Sequence, residues 1–148
     1  MSDWRANLIE DEDGIREVAR RSKRIAVLGI KPESRSSEAA FYVARYLADA
    51  GLEVFPGPVY YPEVTHILGR PVVRRVCDVP SPIDLVNVFR RSADVLPHVP
   101  DLIAARPRAV WLQLGIRNEE AAEQLARAGI VVVQDRCLMV DHRRASAR

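Results

Sequence analysis

The sequence predicts a doubly wound α/β fold on a mainly parallel sheet, and three features carry that expectation. Continuous apolar runs at IAVLG (25–29), IDLVNVF (83–89), AVWLQLG (109–115) and IVVV (130–133) read as strands buried on both faces. Helical segments of about a dozen residues separate several of them, which suits parallel pairing with right-handed crossovers. The 148 residues are enough for one domain that buries a core without metals or disulfides.

Each element follows in order. Residues 4–22 place Trp4, Leu8, Ile9, Ile15 and Val18 among charges at an approximately helical spacing weakened by Gly14, which predicts a helix laid against the body. After the first strand, AAFYVARYLADAG reads as a helix closed by Gly51. LEVFPGP is a short strand broken by Pro56, and Pro56 to Pro62 an ordered loop. RPVVRRV (70–76) reads as a weak strand, IDLVNVF as a strong one, and SADVLPHVPDLIAARP (92–107) as a helix with Pro97 and Pro100 near its start. Asn118 caps the helix EEAAEQLARAG, which ends at Gly129 before the strand IVVVQD. The ending RCLMVDHRRASAR predicts a short helical turn and a polar tail. Residues 1–22 are thus an N-terminal helical segment, 23–142 the domain proper and 143–148 the tail.

Composition narrows the function classes. No apolar run approaches the roughly 18–20 residues of a membrane span, and the N-terminus lacks a signal-peptide core, which predicts a cytoplasmic protein with no membrane partner. Acids and bases are interspersed at a net charge of +2, so no nucleic-acid-binding stripe is expected. Cys77 and Cys137 form no CxxC pair and hence neither a disulfide framework nor a zinc site.

In an open parallel sheet the ligand lies beyond the carboxyl ends of the strands, where strand order reverses. Five loops are selected: IKPESRSS, PGPVYY, RRSAD, GIRN and QDRC, four of which contain arginine. In the first, Gly29 lets the chain leave the strand, Ser34, Ser36 and Ser37 supply hydroxyls and amides at a helix start, and Lys31 and Arg35 add charge. An anion suits that place, although Ser36 or Ser37 as a plain helix cap explains the same residues. A standard NAD site is disfavoured, because GxGxxG is missing and no acid ends the second strand. Phe89 offers a flat face for adenine and Arg90 and Arg91 offer forks for phosphate, against the alternative of a core Phe and solvated arginines. Gly115 and the amides near Asn118 make a second helix N-terminus, and two such termini suit a diphosphate.

DLVNVFRRS, WLQLGIRNEEA and VVVQDRC, with IAVLG…SR and YLADAGLEVFPGPVYYPEVTHILGRPV, resemble the small stand-alone CoA-binding-domain proteins, relatives of the nucleotide-binding domain of the succinyl-CoA synthetase alpha subunit. The likeness spans about residues 20 to 142. It implies a Rossmann-like fold holding CoA by its ADP moiety, with Gly29, Ile30, Lys31, Ser34, Arg35 and Ser36 as phosphate loop. It also implies Pro56, Gly57, Pro58, Phe89, Arg90, Gly115, Ile116 and Asn118 around the nucleotide. Family members commonly read V-N-P where this chain has Phe55-Pro56-Gly57-Pro58, so the usual Asn contact is missing here.

Catalysis is not expected. The synthetase carries its phosphohistidine in a second domain, and His66, His98 and His142 are isolated residues read as structural or solvated. Cys137 reads as a small buried residue with Asp135 and Arg136 paired to fix the turn, or as a thiolate favoured by Arg136 and able to meet the CoA thiol. The sequence thus points to a protein that binds CoA or acyl-CoA, with an acyl-CoA enzyme as a possible partner. An NAD(P)-dependent oxidoreductase and a ligand-free interaction module, with the N-terminal segment and the Tyr60-Tyr61 loop as contact surface, are the alternatives.

Overall fold

The computed structural model describes residues 3–146. In chain order, Trp4–Asn7 forms a 3-10 turn, α1 spans Glu12–Arg21, β1 Arg24–Leu28, α2 Ala39–Asp49, β2 Glu53–Gly57, β3 His66–Ile67 and β4 Arg70–Pro71. Then come β5 Leu85–Val88, α3 Val99–Ala105, β6 Ala109–Leu112, α4 Glu119–Arg127, β7 Val131–Val133 and α5 Leu138–Ser146. Five strands pair in parallel in the order β2-β1-β5-β6-β7, while β3 and β4 form a separate antiparallel hairpin. The chain steps one way from β1 to β2 and the other way to β5, β6 and β7, so strand order reverses between β1 and β5.

Alternation along the strands divides the core. Ile25, Val27, Leu85, Trp111 and Val133 face α1, α2 and α5, where Ile15, Phe41, Val43, Leu47 and Leu138 close over them. Ala26, Leu28, Val86, Val88, Val110 and Leu112 face α3 and α4, against Val99, Leu102, Ala121 and Leu125. Both faces are buried, which is why these strands read as unbroken apolar runs and not as alternating ones. The fold is the expected single-domain, doubly wound, Rossmann-like α/β sheet. Trp111 is fully buried and its indole N–H donates to the Arg136 carbonyl at 2.9 Å, so the largest core side chain leaves no polar atom stranded.

Several boundaries differ from expectation. The single helix over 4–22 is instead a 3-10 turn, an extended link and α1, because Leu8 bridges Val132 in parallel and Ile9 N–H donates to the Val132 carbonyl at 3.0 Å. The Asp11 carboxylate then restarts the helix by accepting from Gly14 N–H at 2.9 Å. Pro56 does not break β2. Its carbonyl points away from β1 and accepts from Val73 N–H at 2.8 Å, so the missing N–H falls on the outer side, where β1 requires none. That same contact leaves only Arg70–Pro71 of the expected 70–76 strand paired, in the hairpin with β3.

The expected helix over 92–107 is two 3-10 turns, Ser92–Asp94 and Leu96–His98, before α3, since Pro97 and Pro100 cannot donate to the turns behind them. At the other end α5 runs nine residues to Ser146, longer than the single turn expected, and its buried Asp141 and His142 tie it to the body. Met1, Ser2, Ala147 and Arg148, the ends of the expected N-terminal segment and tail, lie outside the described residues. Among the described residues no helix is long and apolar enough to cross a membrane.

Candidate functional site

The reversal of strand order puts two loops side by side, Gly29–Lys31 after β1 and Phe89–Arg91 after β5. Phe89 N–H donates to the Leu28 carbonyl, and Gly29 N–H to the Gly57 carbonyl, each at 2.8 Å. Gly29 sits at φ +88°, and a Cβ there would lie 2.2 Å from the Phe89 carbonyl oxygen, so only glycine lets the loops approach this closely. With Val59–Tyr61 as a third wall they enclose a cleft of about 210 Å³.

Arg90 is the cleft's distinctive group. Its Nε donates to His98 Nε2 at 3.2 Å, and its guanidinium carbon lies 5.3 Å from the centre of the Tyr60 ring. Half-buried, it pairs with no carboxylate among the described residues, in contrast to the exposed Arg91, which reaches Asp94 at 3.0 Å. Burial, and then the Arg90 charge, hold His98 below the ordinary histidine value. Tyr60 is 61% exposed, and its loop is held by Arg74, which donates to the carbonyls of Tyr60, Tyr61 and Val64 at 3.1, 2.9 and 2.7 Å. The amides of Ile30, Arg90 and Arg91 have no acceptor among the described residues.

The rest of the phosphate loop is arranged differently from expectation. Lys31 Nζ lies 2.5 Å from Glu38, and Arg35 pairs with the other oxygen of that carboxylate. Hydrogen bonds from Lys31, then Arg35, hold the Glu38 carboxyl below the usual carboxylate range. The two expected cations thus share one carboxylate, which leaves the trio a single net positive charge. Lys31 N–H is also engaged, by the Ala40 carbonyl at 3.0 Å. Ile30 buries its side chain in the core and lends only backbone to the cleft. Neither serine caps α2, whose N-cap is Glu38. Ser34 is exposed, and Ser36 and Ser37 face another hollow, between α2 and α5, beside Tyr42 and Arg143.

Phe89 packs against the core, so the exposed flat face belongs to Tyr60. Pro56 and Gly57 belong to β2, and the buried Pro58 precedes the tyrosine wall. Gly115, Ile116 and Asn118 adjoin the cleft without lining it. Gly115 N–H donates to Asp135 at 2.6 Å, and Ile116 packs on the core. The Asn118 side chain is fully used, accepting from Ala121 N–H and donating to the Ser92 carbonyl, each at 2.9 Å. Ser92 Oγ also accepts from Arg117 N–H at 3.0 Å, so this one residue ties the loops after β5 and β6 together.

The other motif residues are structural. Arg136 forks onto Asp141 (2.7 and 3.0 Å) and onto Glu12 (2.7 and 3.0 Å), clasping α5 to α1; it does not pair with Asp135. Those pairs, Asp141 first, raise the already high arginine pKa further. Cys137 is half-buried against the core. Buried Asn87 donates to Gln113 Oε1 at 3.2 Å, and that oxygen also accepts Leu138 N–H at 3.3 Å, which seats the start of α5. His142 is buried against Tyr46, whose hydroxyl lies 2.9 Å from its Nδ1, while His66 is exposed. Among the described residues no three His, Cys, Asp or Glu side chains gather as a metal site.

Sequence reasoning did not single out Glu38, Arg74 or Ser92 here, and it read His98 as structural or solvated. Only Glu38 left a readable trace, three residues beyond Arg35 on the same loop.

A model of the CoA binding domain family matches residues 23–143. The chain belongs to that family. This CoA binding domain is 35% identical over 128 residues to the Bacillus subtilis (strain 168) protein YneT, covering 86% of this chain and 91% of that one. Among solved structures it is similar to cell-free ID.343 from Thermus thermophilus, with 38% identity, a TM-score of 0.81 and coverage of 92% and 99%. It is also similar to a hypothetical protein from Pyrococcus horikoshii OT3, with 30% identity, a TM-score of 0.81 and coverage of 93% and 94%.

Proposed function

We propose that this CoA binding domain holds CoA or an acyl-CoA by its ADP moiety in the cleft between the β1 and β5 loops, without chemistry of its own. The observation that carries this is Arg90, a half-buried guanidinium at the strand-order reversal that lacks a carboxylate partner and lies over an exposed tyrosine ring. Guanidinium fits phosphate with two parallel donors, and the free amides of Ile30, Arg90 and Arg91 add to the same charge preference. The Tyr60 face suits a flat base. The residues of this chain therefore fit an adenine nucleotide diphosphate.

The cleft suits a binding role. It is lined by glycine, aliphatic, aromatic and cationic residues, with no serine, cysteine, histidine or carboxylate among the described residues lining it. Such a protein serves as sensor or carrier, or delivers the ligand to an acyl-CoA enzyme. Thermal unfolding with CoA, dephospho-CoA, ADP, NAD and NADP tests the reading, because a ligand of the native state raises the midpoint. CoA or an acyl-CoA should raise it most. NADP raising it more than CoA would move the assignment to an oxidoreductase, and no shift with any of them would refute nucleotide binding.

A further inference from the structure

We infer that His98, which stands behind the cleft and not in it, is the positioning residue that sets the Arg90 guanidinium for an anion, and that it does so only as the neutral imidazole. The inference rests on the CoA reading and adds a pH control to the same site.

Arginine is always charged and can only donate, so the 3.2 Å contact from Arg90 Nε requires a bare Nε2 on His98. That contact occupies Nε and leaves both terminal NH₂ groups free. The Tyr60 ring, 5.3 Å from the guanidinium carbon, gives the second anchor. Two anchors fix a side chain that otherwise has many rotamers, and so reduce the ordering cost when an anion arrives. His98 can hold this place because it ends the 3-10 turn Leu96–His98, whose bend Pro97 helps impose.

A proton on Nε2 removes the acceptor and sets two cations side by side. The charged groups facing His98 are Arg90, Asp101 and Asp94. The two carboxylates offset this only in part. Asp94 is taken up by Arg91 at 3.0 Å, and Asp101 by Arg75 at 3.3 Å and Val76 N–H at 2.9 Å. Acid therefore releases the Arg90 side chain.

The test is a double-mutant cycle with CoA titrated calorimetrically into wild type, Arg90→Ala, His98→Ala, their double variant, His98→Gln and His98→Gln combined with Arg90→Ala, at about pH 7.5 and about pH 5.5, on either side of the usual imidazole titration. At the higher pH, His98→Ala should weaken CoA about fivefold, the worth of one hydrogen bond, and should cost nothing further once Arg90 is alanine. His98→Gln, whose amide oxygen can accept from Arg90, should restore binding. The wild-type to Arg90→Ala affinity ratio should shrink in acid, whereas the same ratio measured in the His98→Gln background should not. An equal cost of His98→Ala with and without Arg90, or the same acid response in both backgrounds, overturns the inference. Without ligand, the ¹⁵N-detected Arg90 Nε–H should exchange slowly at the higher pH and lose its protection in acid and in His98→Ala; an unprotected signal in wild type also overturns it. If wild type fails to bind CoA while that signal is protected, the CoA reading falls, and the same cycle run with inorganic pyrophosphate decides the role of His98.

Discussion

Replacing Gly29 by alanine, with Gly115→Ala as its control, separates two reasons for a glycine at a strand end. Both residues have positive φ, +88° and +86°. An L-residue held there costs about 1–2 kcal/mol, so each variant should lose roughly that much. At Gly115 the added carbon meets open space and the cost ends there. At Gly29 it lies 2.2 Å from the Phe89 carbonyl oxygen, about 0.8 Å inside the 3.0 Å limit that real Cβ atoms respect. The atom in the way is backbone, so the β1 and β5 loops must part. The hydrogen bonds from Phe89 N–H to Leu28 and from Gly29 N–H to Gly57 stretch with them, at about 1 kcal/mol each. The sum for Gly29→Ala is about 3–4 kcal/mol, a large share of the roughly 5–15 kcal/mol that holds a domain of this kind. Urea unfolding followed by circular dichroism measures both variants, with unchanged m-values certifying the comparison. A difference between them of less than about 1 kcal/mol would refute the claim that the loops are packed to contact by Gly29.

Glu38→Gln should free Lys31 and Arg35 and tighten CoA several-fold at low salt, with the gain shrinking as salt is added; an unchanged dissociation constant in the same calorimetric titration would show that the cluster does not face the ligand. Asp141→Asn strips the buried half of the Arg136 clasp and should cost about 2–3 kcal/mol in denaturant unfolding, below the usual loss for a buried pair because Glu12 remains bound. Glu12→Gln, at the exposed end of that clasp, should cost clearly less than Asp141→Asn by the same measurement, and an equal loss would refute the division of the clasp into a buried and an exposed half. Burial, and then the Lys23 charge, hold His142 below the ordinary value of 6.5. The unfolded chain therefore takes up the proton first, so this contribution to stability is complete above about pH 6.5 and is lost as pH falls below it. His142→Phe should lower stability at neutral pH through the lost Tyr46 contact and flatten the acid dependence; equal slopes between about pH 7 and 5 would sink the assignment.

The sheet was legible because burial on both faces writes itself as unbroken apolar runs, and its reversal point followed from the order of strands and helices. What misled was local punctuation. Pro56 looked like a break, yet a proline is harmless where its ring faces outward, and no sequence rule says which side of β2 is outward. Leu8 and Ile9 fit a helical spacing but were claimed by Val132, more than a hundred residues away. Of the five loops expected together, those after β1, β2 and β5 line one cleft, and their side-chain partners were not foreseen. Glu38 engages both cations that made the first loop look anion-seeking, and Arg90, half hidden between His98 and Tyr60, stands without a carboxylate partner among the described residues. The Arg90 contacts depend on how the turn before α3 and the 58–64 loop pack, which periodicity does not report.

The contacts made by Val73 and by Leu8 and Ile9 have one further consequence. A parallel sheet ends in two rows of unpaired peptide groups, and a neighbouring chain can add itself there as an extra strand. Here one end is occupied by Val73 N–H and a proline that has no donor to offer, and the other by Ile9 N–H on the Val132 carbonyl. Each is a single contact made by a segment outside the sheet. Together they engage a peptide group on each outer strand, Pro56 on β2 and Val132 on β7, so neither edge presents an unbroken row of partners to an added strand.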